Sequence, residues 1–183
     1  MTPDLIIDIL KYYSKFIPKE VLKRIFIQPA KSRDQGYNEI MAEILASPDA
    51  QVLPDFDTFV VSQNENFVSE RMKNSKKYAL FVEYGSFSVN HGIEYGVKEN
   101  LAVAVVHNFS DNNNDFVNET IHMNNCFRLL NEILITMGDE QAELDFCGAS
   151  LVDPPIDIQP IEPAAFYGCG GWMAKFTKQN TIL

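Results

Sequence analysis

The residues in this chain best able to do chemistry are few and scattered. There are three histidines, His91, His107 and His122, and three cysteines, Cys126, Cys147 and Cys169. A metal or acid–base site needs such groups to converge with carboxylates. The nearest acids in sequence are Asp111 for His107 and Glu119 for His122. His122 falls just off the apolar stripe of its segment, which predicts an exposed side chain. The cysteines form no CxxC pair and no metal-ligand spacing. Cys169, set between glycines, is expected to be the most accessible thiol, with only Lys175 and Lys178 close enough in sequence to depress its pKa; a small residue in a tight turn explains it as well. Gly168-Cys169-Gly170-Gly171 is glycine-rich like a phosphate loop, but it lacks GK[ST] and precedes a strand pattern instead of a helix. The tract from Asp111 to Asp115 lacks the glycine and glutamate of a calcium loop and reads as helix capping by Asx side chains. Asp153, Asp157 and Glu162 alternate with apolar residues between prolines and read as the polar edge of an extended arm. The expectation is therefore no catalytic residue, no cofactor and no metal.

The elements that must position these residues follow from periodicity. Leu5, Ile6, Ile9, Leu10 and Tyr13 recur at helical spacing behind Thr2-Pro3-Asp4, a fitting N-cap and first position. Pro18 begins a second helix bearing Val21, Leu22, Ile25 and Phe26, which Pro29 ends. A third helix fits Tyr37–Ala46. After Pro48 and Pro54 the period changes to two. Strands are predicted over 57–61, 67–71, 76–84 and 100–107, the last apolar on both faces and so central. Tyr78, Leu80, Val82 and Tyr84 should share one face, and Gly85, Asn90, Gly92 and Gly96 punctuate a hairpin. Phe116, Thr120, Met123, Phe127, Leu130, Leu134 and Met137 step by four and three as one long helical stripe, widened by Val117, Ile121 and Ile133, with Gly138 as its stop. Pro154-Pro155 forces extended chain, and Pro160 and Pro163 mark an edge strand or arm bearing Ile156, Ile158, Ile161 and Glu162. Trp172, the only tryptophan, follows the glycines and anchors a closing strand through Phe176 and Thr177, with Gly170 and Gly171 giving its ring room.

This order predicts an α+β fold: an antiparallel sheet with one long helix on a face, preceded by N-terminal helices. Residues 1–54 form a helical segment, and 55–183 an α+β core domain with a proline-bearing arm and a closing strand. The 183 residues are 46% hydrophobic, enough for one core. Net charge is −10, against a general grip on nucleic acid. Residues 1–35 nevertheless carry +3, with Lys11, Lys15, Lys19 and Lys23 among seven basic residues, and the remainder carries −13. That asymmetry suits either a solvated helix face or head-to-tail pairing between subunits. Three widely spaced cysteines suit a reducing compartment, and no apolar run or leader pattern points to a membrane or export.

The strand with Tyr78 to Tyr84, the strand over 100–107, the Asp-rich turn, the long helix over 116–137 and the Pro/acid stretch ending in Gly171-Trp172-Met173-Ala174-Lys175-Phe176-Thr177 together resemble the neck and tail-terminator proteins of tailed bacteriophages. The closing strand is similar to small phage proteins of Bacteroides-type genomes, and the Asn- and Lys-bearing character is similar to crAss-like phages. The resemblance covers roughly 55–180 and implies a virion protein assembled in the host bacterial cytoplasm. It would be a homo-oligomeric ring meeting other neck, portal or tail proteins, with DNA at most passing through the lumen and no specific nucleic-acid or membrane binding. Ile156, Ile158, Ile161, Glu162 and the four lysines would be its contact residues. Two rivals remain: a small-molecule-binding or enzymatic α+β domain using Cys169 and a histidine, and an acidic host-directed inhibitor that mimics DNA.

Overall fold

The computed structural model describes residues 5–26, 36–63, 65–91, 95–109, 115–144, 151–163 and 166–181. Three helices come first: α1 (Leu5–Ser14), α2 (Lys19–Ile25) and α3 (Tyr37–Ala46). They are followed by β1 (Phe56–Val61), α4 (Glu65–Lys73), β2 (Tyr78–His91), β3 (Tyr95–Asn108), α5 (Phe116–Leu144), β4 (Leu151–Ile161) and β5 (Cys169–Thr181). The fold is α+β, a five-stranded sheet with the long helix α5 packed on it. Residues 1–4 and Pro29, expected at helix ends, lie outside the described residues, as do Asp111 and Cys147.

The strand order is β1-β2-β3-β5-β4. The last strand returns beside an earlier one, inserting between β3 and β4, antiparallel to both. β4 is an edge strand, as its prolines require. Pro160 pairs with Trp172; lacking an N–H, it turns its nitrogen away from β5, and strand alternation turns the N–H group of Ile158 to the same outer side. The edge is thus interrupted by proline, a blunted template for strand addition.

Four expectations need correction. Residues 67–71 belong to α4, not to a strand, and β1 runs parallel to β2. Parallel neighbours need a crossover, and α4 supplies it, with Val68 and Met72 four residues apart and buried under the sheet. Gly138 does not stop α5, which continues to Leu144. It is exposed, with nothing within 4 Å of a built Cβ, so it costs the helix about 1 kcal/mol relative to alanine and no packing. The buried line of α5 is Cys126, Leu129, Leu130, Ile133 and Met137, rotated from the expected stripe: Phe116, Val117 and Ile121 are exposed, and Phe127 is 41% exposed.

The two sides of the sheet build two cores. Tyr78, Leu80, Val82, Leu101, Val103, Val105, Ala174 and Phe176 share one face with α1, α2 and α5, and Ile44 of α3 joins the same cluster. Residues before 54 thus pack into the same core as the sheet. On the other face, Val60, Ala79, Phe81, Ala104 and Val106 meet α4 and the turn around Phe166, with Phe81 and Phe166 ring centroids 5.5 Å apart.

Candidate functional site

Among the described residues, polar side chains gather in two places on the sheet. The first begins at Asp57 on β1, whose carboxylate accepts from Ser75 Oγ (2.8 Å) and from the backbone N–H groups of Lys76 (2.8 Å) and Lys77 (3.0 Å). That fixes the start of β2 and aims the Lys77 carbonyl at His107 Nδ1, 2.5 Å away. A carbonyl only accepts, so Nδ1 of His107 carries the proton and its Nε2 is the basic nitrogen when the ring is neutral. His107 stacks on His122 of α5, ring centroids 3.7 Å apart and planes 10° apart. His122 Nδ1 lies 2.9 Å from the Tyr78 hydroxyl, which also receives Asn125 Nδ2 at 2.9 Å. We assign the hydroxyl proton to His122, which places the neutral ring's proton on Nε2. Burial and the neighbouring His107 hold the His122 pKa below its ordinary value, and burial raises that of Tyr78.

His122 is therefore half-buried and stacked, contrary to the exposure expected from its position off the stripe. His122, Asn125, Cys126, Leu129 and Ile133 lie along one helical line. A search for apolar residues alone skips its first two members and takes the wrong phase. His107 opposite Tyr78 is a matter of strand register, which the sequence does not display.

The second place is on the opposite face, at the end α4 does not reach. Glu83, Ala102, Lys175 and Asp157 stand in register across β2, β3, β5 and β4. All three charged residues are exposed, and Ala102 makes the dip between them. With Gly85, Asn100, Pro155 and Thr177 they line an open groove of about 600 Å³. Asn100 ties it together, donating to Ser86 Oγ at 2.8 Å and accepting from Thr177 Oγ1 at 2.9 Å. Among the described residues, Lys175 makes no ion pair within 4 Å.

The residues expected to make contacts are spread over the molecule. Lys15 Nζ reaches both oxygens of Glu140 (2.7 and 2.6 Å) and lies 3.6 Å from the Tyr12 ring centroid. Lys19 binds the Ile44, Leu45 and Ser47 carbonyls at the C-terminus of α3 (3.2, 2.9 and 2.6 Å), where a cation offsets the helix dipole. Lys11 pairs with Glu43. Lys23 is exposed. On β4, Ile156 packs on the first core and Ile161 on the second, whereas Ile158 is 38% exposed; Glu162, just past the strand, is exposed.

Trp172 is half-buried on the α5 face. Its Nε1 donates to the Met123 carbonyl at 3.0 Å, and its ring meets Phe127 edge-on at 5.3 Å. The glycines serve backbone approach. A Cβ on Gly171 would collide with the Val105 carbonyl of β3, and one on Gly170 would lie 2.8 Å from the Phe109 ring. Tyr167 (φ 55°) and Gly168 (φ 79°) turn the chain into β5. Cys169 is fully buried, not the accessible thiol expected, and burial pushes its pKa up to about 11; Cys126 is likewise pushed up to about 12. Neither is primed as a nucleophile. The described residues contain no cluster of three or more metal-ligating side chains and no helix long and apolar enough to span a membrane. The Asx cap is present: Asp115 Oδ1 accepts from Val117 and Asn118 N–H at 3.1 and 3.2 Å.

Comparison with family models, curated proteins and solved structures returns no match to this chain.

Proposed function

We propose that this protein is a non-enzymatic structural subunit of a tailed-bacteriophage neck or tail, acting as one member of a closed ring. The observation that carries this reading is the unequal cover of the sheet. One face lies under α1, α2 and α5, and the other lies under α4 over one end only, so the row Glu83–Ala102–Lys175–Asp157 meets solvent beside the edge strand β4. A ring needs two different faces on each subunit. The bare end of the sheet supplies one. The opposite side of the molecule, where Lys23 and Arg24 are exposed on α2, supplies a basic counterpart to the acidic body. The blunted β4 edge favours contact through side chains over continuous strand pairing, which keeps the assembly from growing as an open sheet. An acidic lumen would repel DNA and let it slide.

The test is light scattering with negative-stain imaging. Particles of a defined multiple of the 20.8 kDa chain with a central opening are expected. A monomer at every concentration that also fails to assemble with neck partners would sink the reading.

A further inference from the structure

Along the first three turns of α5, over 116–125, no residue is buried; burial begins at Cys126. Phe116, Val117 and Ile121 are 76%, 52% and 53% exposed. What binds this stretch to the sheet is polar: His122 to Tyr78, Asn125 to Tyr78, Trp172 to the Met123 carbonyl, and the stack of His122 on His107. We propose that His107, His122, Tyr78 and Asn125 form a proton-sensitive clasp that holds the first three turns of α5 on the sheet and releases them on acidification.

The arrangement accepts an added proton badly. A proton on His122 Nδ1 would make that nitrogen a donor. Tyr78 would then have to accept from both His122 and Asn125, leaving its own proton without its present acceptor. A proton on His107 Nε2 would place an imidazolium against the other ring at stacking distance, and charging both rings would set two cations 3.7 Å apart. The surrounding groups offer little relief. Tyr78 faces the pair from β2. Cys126 and Arg128 follow it on α5, and Arg128 already binds Glu132 (2.7 Å) and Asp55 (3.2 Å), the carboxylate ahead of β1. Glu119, one turn before His122, is exposed, and Phe109 closes the β3 side edge-on, its ring centroid 5.1 Å from that of His107. β5 brings Gly170, opposite His107, and no charge.

The linkage has a definite sign. His122 has its folded pKa lowered from 6.5, so its contribution is present above pH 6.5 and is lost as pH falls from there through the lowered folded value.

Trp172, the only tryptophan, touches this stretch and reports its release. Between pH 8 and 5 the wild-type emission should shift reversibly to the red and become more open to acrylamide. Amides of 116–125 should lose hydrogen-exchange protection while those of 126–137 keep it and far-UV circular dichroism changes little. His122→Phe keeps a stacked ring without a titrating nitrogen and should abolish the acid shift. If that variant does not fold, Tyr78→Phe removes the shared hydroxyl and should show the red-shifted emission already at pH 8. The proposal is overturned by constant wild-type emission and protection over this range, by loss of the whole far-UV signal together with the shift, by an unchanged shift in a folded His122→Phe, or by wild-type behaviour of Tyr78→Phe.

Discussion

On one face of the sheet, Leu80, Val82, Val103, Val105 and Ala174 lie fully buried beneath α1, α2 and α5. On the other, Ala79, Phe81, Ala104 and Val106 are sealed by α4 and the Phe166 turn, but one pleat further along Glu83, Lys175 and Asp157 meet water. The same strands build both faces, so the difference comes from which helices the chain spends on each. The first face carries the stability of the fold. The second is finished at one end and left polar at the other, where alternation puts charged residues in register without an apolar load that would force nonspecific aggregation.

That contrast gives graded expectations. The largest effect belongs to the sealed face. Leu130, on the buried line of α5, is 0% exposed, and Leu130→Ala should cost about 2–5 kcal/mol in urea unfolding. A smaller cost would mean that α5 covers the sheet without supporting it. Trp172→Ala removes a half-buried ring and the bond to the Met123 carbonyl, and should cost about 2 kcal/mol by the same measurement while perturbing assembly. A stable variant that assembles normally would contradict the anchoring role of this strand.

Next comes the far end of α5. Glu140 loses solvation there, which alone would raise its pKa, yet bonds from Lys15, Tyr12 and Gln51 hold it below 4.5. Its contribution is present above pH 4.5 and lost as pH falls through the lowered value. Glu140→Gln should flatten the acid limb of stability in that window, read by denaturant titrations at stepped pH. The His122 effect begins nearer pH 6.5, so the two ends of one helix should let go at different acidities. The smallest stability effect is expected on the bare face, where Ala102→Arg fills the dip between Glu83 and Lys175 and should change unfolding by about 0.5 kcal/mol or less.

How much of this was legible in sequence depends on where the information lay. The face shared by Tyr78, Leu80, Val82 and Tyr84 follows from local alternation, the central strand at Leu101 to Val106 from an apolar run on both faces and the edge position of the prolines from their missing N–H, and each is present. Phe67 to Arg71 misled because a five-residue window cannot separate strand from helix; the parallel pairing of β1 with β2 decides it, and that is a long-range fact. The phase of α5 misled because Phe116, Val117 and Ile121 are apolar yet exposed, while His122 and Asn125 are polar yet inward. The His107–His122 stack joins a strand end to a helix across the core, so no sequence spacing announces it. The groove depends on register across four strands and was invisible for the same reason.

The measurement that bears most directly on the assembly reading is sedimentation velocity of wild type beside Ala102→Arg, each checked for unchanged thermal unfolding. The wild type should sediment as a discrete oligomer and the variant as a 20.8 kDa monomer of equal stability. Two identical distributions, whether both monomeric or both assembled, would show that the bare end of the sheet is not the joining surface.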